Sequence, residues 1–167
     1  MSIRISEAYA GRGANHIHIN LMMGSRNGPV GQTFLSTLAS PSPGHVPFLV
    51  VLQPNLPTRP LVLYVNKAEI KGDTHARLTW GASQAGVAEG LREAIQAGAL
   101  EGYDLDDTLI IIAIFIGWSA DSEELVLQNT REAMHIAVLR AVGKQGYAGD
   151  YMDGSLQTFN SFYHMPS

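Results

Sequence analysis

The 167-residue sequence predicts one α+β domain, a two-layer sandwich in which helices pack on a mixed β-sheet. Three observations lead to this prediction. Short apolar segments, some alternating and some continuous, are separated by Gly and Pro, as is typical of strands joined by turns. Other segments repeat apolar residues at helical spacing. The composition, 46% hydrophobic and 16% charged, is that of a globular protein rather than a disordered one.

The first half of the sequence predicts three strands and one helix. Residues 16–23 alternate between polar and apolar side chains, which indicates a strand with two different faces. A Gly-rich turn then leads into a predicted helix at 30–38, where the apolar residues share one face. Two further strands are predicted at 46–53 and 60–70, because both segments are apolar and lie between Pro or Gly residues.

The middle of the sequence predicts a strand, a helix and then a buried strand. Residues 75–80 are expected to form a short fourth strand, and 84–97 a helix with a stripe of apolar side chains. Residues 108–116 form a continuous apolar run rich in Ile. Such a run is typical of a central strand that is covered on both faces.

The longest predicted helix spans residues 121–142. Asp121 is expected to cap its N-terminus, because Glu124 follows three residues later as in a capping box. From about residue 144 the sequence is rich in Gly and aromatic residues without a clear period, which predicts an extended C-terminal arm. No internal repeat or linker interrupts the chain, so residues 1–167 are expected to form a single domain.

Composition narrows the partners that this chain is expected to have. The net charge is -4 and the Lys and Arg residues are scattered, which argues against nucleic-acid binding. There is no Cys, which excludes disulfides, thiolate metal sites and a Cys nucleophile. The charged fraction is low for a small monomer, which predicts that an oligomer buries part of the surface.

The sequence also predicts a cytoplasmic protein with no membrane partner. Its first residues include Arg4 and Glu7 and no apolar stretch of the kind a signal peptide requires. The most apolar run, at 109–118, is about half as long as the roughly 20 residues that a membrane-spanning helix needs.

The strand at 16–23 carries the first candidate site. Its period of two places His16, His18 and Asn20 on one polar face, beside the Gly-rich turn. Histidine exchanges protons near neutral pH, so this face suits general acid or base catalysis. A solvated strand face explains the same pattern equally well. A two-His metal site would need further ligands at a recognised spacing, which the sequence lacks, so no metal is expected.

A second candidate lies on the predicted third strand, where Lys67, Glu69 and Lys71 share a face. Alternating charges of this kind are usually a solvated surface. A buried Lys67 next to Glu69 would instead indicate a functional site.

Several sequence blocks together resemble one enzyme family. Residues 18–21, read as HINL, and 24–32, read as GSRNGPVGQ, resemble the "HIDL…GSRGGPVGQ" segment of formaldehyde-activating enzymes, also called tetrahydromethanopterin hydro-lyases. Further blocks at 44–49, 54–57 and 115–118 follow in the same order and at similar spacing. The resemblance extends from about Ile5 to Ala141, which is most of the chain.

This resemblance implies a fold, an assembly and a reaction. The fold would be a sandwich similar to domain 2 of ribosomal protein S5, assembled as a homopentamer with a pterin cleft between neighbouring subunits. The enzyme would condense formaldehyde with tetrahydromethanopterin, giving the methylene derivative and water. The pterin would be a co-substrate, and no covalently bound cofactor is implied. His18 matches the proton donor of the family. The positions that match its substrate contacts are Asn20, Leu49, Lys67, Glu69 and Gln84.

Three positions depart from the pattern of the family. Asn20 replaces an aspartate, which removes a carboxylate that could orient a histidine. Glu69 replaces a threonine, and His16 replaces a small residue. The alternative function is therefore that of a diverged paralogue, which binds a pterin or a formaldehyde adduct without this catalysis.

Overall fold

The computed structural model describes residues 2–145, and five strands within this range form one mixed sheet. In chain order the strands are β1 (Arg4–Ala10), β2 (Ile17–Ser25), β3 (Phe48–Leu49), β4 (Val51–Gln53), β5 (Leu56–Pro57), β6 (Leu61–Asn66) and β7 (Thr108–Ile116). The α-helices are α1 (Pro29–Leu38), α2 (Gly72–Arg77), α3 (Gln84–Gln96) and α4 (Glu123–Ala141). The α+β prediction is confirmed at this level.

The main sheet has the strand order β1-β2-β7-β6-β3. Strands β6 and β7 are parallel, and the other neighbours are antiparallel. The predicted central strand is confirmed, since β7 spans Thr108–Ile116 and lies in the middle of the order. Among residues 2–145, strand β1 lies at the edge of the sheet and pairs with β2. Strands β4 and β5 form a separate small hairpin.

One face of the sheet is buried beneath α3 and α4. The apolar half of β2, beginning with Ile17 and Ile19, is fully buried there, as its alternation predicts. The two helices lie very close together because α3 presents Gly86 and Gly90 to α4. A Cβ atom on Gly90 would lie 2.3 Å from the carbonyl oxygen of Arg131, a separation that no real packing permits.

The described residues cover only part of the other face of the sheet. Helix α1 packs Val30 and Phe34 against Leu63 and Leu109, at the end of the sheet where β2 finishes. The two-layer prediction is therefore incomplete, since α1 adds a partial third layer. Within residues 2–145 no helix covers the start of β2, and the polar half of that strand lies on this face.

Two predicted strands are wrong in extent. The segment 46–53 splits into β3 and β4, which belong to different sheets. Between them, the amide of Val50 donates to Val62 O at 3.0 Å, so this amide keeps a hydrogen-bond partner where the chain passes from one sheet to the other. The predicted strand 60–70 ends at Asn66, whose Nδ2 donates to Gly44 O and Ala68 O, both at 2.7 Å. Lys67, Glu69 and Lys71 therefore do not share a strand face.

The predicted strand at 75–80 is helical instead. It comprises the end of α2 and the start of a π-helical turn, Leu78–Ser83, which leads into α3. His75, Leu78 and Thr79 are buried, a spacing of three and four that suits a helix. A ring nitrogen of His75 lies 3.1 Å from Ile116 O, and this contact fixes the segment against the end of β7.

The predicted helices at 30–38 and 84–97 are confirmed to within one residue, and the longest helix is confirmed with different ends. The N-cap of α4 is Ser122 rather than Asp121, because the Ser122 hydroxyl accepts from the amide of Leu125 at 3.2 Å. Asp121 accepts instead from Asn15 Nδ2 at 2.9 Å. The predicted arm from residue 144 lies outside the described residues, apart from its first two. Within residues 2–145, no helix has both the length and the apolarity to cross a bilayer.

Candidate active site

His18 lies on the open face of the sheet between groups of opposite charge. Its Nε2 is 3.0 Å from Glu7 Oε2, and its Nδ1 is 3.0 Å from Lys67 Nζ. The His18 side chain is 21% exposed, whereas that of Glu7 is 59% exposed and faces solvent. The three side chains therefore form a row from the half-buried Lys67 to the exposed Glu7.

The backbone of the sheet brings this row together from distant parts of the sequence. Strand β1 pairs with β2 so that Tyr9 is opposite His18 and Glu7 is opposite Asn20. Lys67 directly follows β6, and its amide continues the ladder by donating to Ile114 O at 2.7 Å. Because β7 lies between β2 and β6, Lys67 reaches across β7 to His18.

The hydrogen bonds assign the proton positions on His18. The ammonium group of Lys67 has donors only, so Nδ1 of His18 must accept from it. Nε2 then carries the hydrogen and donates it to the carboxylate of Glu7. Both nitrogens of the ring are engaged, so the imidazole is held in one orientation and one tautomer.

Lys67 is a stronger acid than an ordinary lysine. Burial lowers its pKa, although the negative charge of Glu7 acts in the opposite direction. The sequence predicts that a buried Lys67 next to Glu69 marks a functional site. The structure supplies the partly buried lysine, but its described partners are His18 and Glu7.

Glu7 is the site residue that sequence reasoning missed. It supplies a carboxylate beside His18, and Asn20 Nδ2 lies 3.4 Å from the same Glu7 Oε2. The signal for β1 was present but weak. Its inward positions are Ser6, Ala8 and Ala10, whose small side chains hide the alternation that marks a strand.

His16 has a packing role next to this row. Its ring stacks between those of Tyr9 and Phe115, with both centroid distances at 5.5 Å. Its Nδ1 lies 2.6 Å from Gly13 O. Within the described part of the chain, no group of three His, Asp or Glu side chains is arranged to hold a metal ion.

Glu69 lies in a separate charged cluster. Its Oε2 is 3.9 Å from Lys71 Nζ, and its carbonyl oxygen accepts from Trp118 Nε1 at 2.9 Å. The ammonium of Lys71 lies 3.9 Å from the centre of the Trp118 ring. No described contact joins Glu69 to His18.

Leu49 and Gln84 are also separate from the His18 row in one chain. Leu49 pairs with Leu63 at the β3 edge and is 37% exposed. The Gln84 side chain accepts from the amide of Val51 at 2.7 Å and so fixes the start of β4. Of the positions that the resemblance marks as substrate contacts, the structure brings only Asn20 and Lys67 to His18.

Comparison with known proteins identifies close relatives of this chain. The family model described as "Formaldehyde-activating enzyme (Fae)" matches residues 5–158. The chain is 38% identical over 138 residues to 5,6,7,8-tetrahydromethanopterin hydro-lyase from Methanosarcina barkeri, covering 83% of this chain and 78% of that protein. It is 36% identical over 140 residues to a bifunctional enzyme Fae/Hps from Methanoculleus marisnigri. That match covers 84% of this chain but only 36% of the longer relative.

Proposed function

The chain belongs to the formaldehyde-activating enzyme family, and from this premise we propose that it condenses formaldehyde with tetrahydromethanopterin to the methylene derivative and water. By this proposal it is a lyase of the hydro-lyase type. The row of Lys67, His18 and Glu7 is the observation that carries the proposal. It contains an oriented imidazole and a lysine of lowered pKa at the surface of the described chain.

The chemistry needs an acid at one step. Formaldehyde first adds to one pterin nitrogen and gives a carbinolamine. Loss of its hydroxyl group as water leaves an iminium ion, and a second nitrogen then closes the ring. Hydroxide is a poor leaving group, so a proton delivered to it lowers the barrier. General acid catalysis of this kind contributes about 10²–10⁴-fold to the rate.

His18 is the acid in this proposal. In the free protein its Nε2–H donates to Glu7 Oε2, and in the proposal the departing hydroxyl replaces Oε2 as the acceptor and takes the proton. Nδ1 receives a replacement proton from the Lys67 ammonium, 3.0 Å away, so the ring never becomes an anion. The lowered pKa of Lys67 favours this transfer, because its ammonium gives up a proton more readily than that of an exposed lysine.

The pterin is proposed to contact Asn20, Leu49, Lys67, Glu69 and Gln84, following the resemblance. Leu49, Glu69 and Gln84 are apart from the His18 row within one chain, and no described helix covers the sheet face on which the row lies. This arrangement favours a cleft completed by a neighbouring subunit. We also propose that the protein is a homopentamer with a sandwich similar to domain 2 of ribosomal protein S5, that residues 1–167 form a single domain, and that its location is cytoplasmic.

The assay that tests this function measures formaldehyde condensation with the purified protein. We expect the rate with tetrahydromethanopterin to exceed the uncatalysed rate, and tetrahydrofolate serves as the alternative carrier. A rate equal to background with both carriers would contradict the proposal. If the double variant Asn20→Asp, Glu69→Thr then gained an activity that the wild type lacks, the chain would be a diverged binding protein.

The assembly is tested separately, by analytical ultracentrifugation or light scattering. We expect a stable closed oligomer at micromolar concentration, because part of the proposed cleft must come from a neighbour. A stable monomer that retained full activity would show that one chain forms the whole site.

A further inference from the structure

We propose that Glu7 is the catalytic base that removes the proton of the ring-closing nitrogen and then returns it to His18. The inference rests on the proposed condensation and adds a residue to it. Neither the family match nor the resemblance assigns a role to Glu7. The structure places its carboxylate in direct contact with the imidazole, at the exposed end of the row.

The reaction itself requires a base as well as an acid. In the first step the hydroxyl takes a proton from His18, the C–O bond breaks, and the nitrogen lone pair forms the C=N bond of the iminium. In the second step the other nitrogen forms a bond to the same carbon, the C=N pair returns to the first nitrogen, and one N–H proton must leave. The enzyme therefore loses one proton and gains one in each turnover.

The contact between Glu7 and His18 lets His18 recover the proton that it gave up, without any further reactant. The carboxylate takes the N–H proton during ring closure. It then passes the proton from Oε2 to Nε2 across 3.0 Å, to the same nitrogen that gave one up. Nδ1 returns its proton to Lys67, and the row regains its starting state.

The environment of Glu7 suits a base that meets substrate. Both of its described side-chain hydrogen bonds reach Oε2, so Oε1 has no hydrogen-bond partner among residues 2–145, and the side chain is 59% exposed. Its backbone is held in place, since Arg140 Nη1 donates to Glu7 O at 2.8 Å. The carboxylate of Glu69, another proposed contact, lies beside Lys71, and no described contact joins it to His18.

The decisive variant is Glu7→Gln, because it separates a base from a positioning group. The amide oxygen of glutamine can still accept from Nε2 and hold the imidazole, but the amide cannot take up a proton. We expect kcat to fall by about 100-fold or more, within the range for loss of a general base. Glu123→Gln is the matched control, since Glu123 is also an exposed, ion-paired carboxylate and should leave the rate unchanged.

Chemical rescue provides a second, independent measurement. Glu7→Ala leaves a space beside His18, and added formate should restore part of the lost rate in proportion to its concentration. Chloride at the same ionic strength should not. Far-UV circular dichroism checks that both variants are folded, as expected for an exposed side chain.

The outcomes distinguish this inference from the proposed function. If the wild type is active, His18→Ala is impaired and Glu7→Gln is as fast as the wild type, the proposed function stands and the role of Glu7 as a base is wrong. A Glu7→Ala enzyme that is slow and insensitive to formate would also overturn it, leaving Glu7 a positioning residue. A wild type with no activity would overturn the proposed function itself.

Discussion

Replacing His18 by Ala is expected to lower kcat by about 10²–10⁴-fold, to near the uncatalysed rate, with little change in KM. The variant removes the group that links Lys67 to Glu7. No described hydrogen bond joins Lys67 directly to Glu7. The other proposed substrate contacts remain, so affinity for the pterin should be kept.

The measurement is steady-state condensation with tetrahydromethanopterin, corrected for the rate without enzyme. His135→Ala is the control, because His135 lies on α4, the helix layer that covers the opposite face of the sheet. Added imidazole should partly restore His18→Ala and leave the control unaffected. A His18→Ala enzyme with the rate of the wild type would remove His18 from the mechanism.

Replacing Gly90 by Ala is expected to destabilise the fold, although alanine is the better helix former. The added methyl group would lie 2.3 Å from Arg131 O and 2.9 Å from Met134 Cβ, and neither atom is at the end of a flexible side chain. Helix α3 must therefore move away from α4, and overpacking of this kind costs about 1–3 kcal/mol or more. The gain in helix propensity, about 1 kcal/mol, offsets only part of this cost.

Thermal unfolding of Gly90→Ala measures the effect, since each kcal/mol lowers Tm by about 2–4 °C in a protein of this size. Gly81→Ala is the matched control. Gly81 lies in the π-helical turn, where a Cβ atom would meet nothing within 4 Å, so the same substitution should leave Tm unchanged or higher. An unchanged Tm for Gly90→Ala would mean that α3 and α4 do not require this close approach.

The parts of the fold that the sequence predicted are those with a strong local period. Strand β2, helix α3 and strand β7 lie within two residues of their predicted bounds, because each repeats apolar residues at one spacing over eight or more positions. The polar face of β2 was also predicted correctly, since a period of two fixes which side chains share a face.

The parts that failed depend on contacts between distant residues or on weak local signals. The pairing of β1 with β2 is not visible in the alternation of β1, whose inward side chains are small. The approach of Lys67 to His18 requires the order of β2, β7 and β6, which no local pattern contains. The segment at 75–80 is too short for a helical period to be distinguished from a strand.

The position of Glu7 on an edge strand links catalysis to local opening of the fold. Strand β1 pairs with β2 along one edge. It is also held by α4, because the Ser6 hydroxyl donates to Ala137 O at 2.7 Å. Edge strands of this kind detach at lower free energy than the central strands of a sheet. Fraying of β1 would carry Glu7 away from His18 while the core around β7 stays intact. Proton transfer along the row of Lys67, His18 and Glu7 is therefore expected to be lost first under mild denaturation, before the global fold is lost.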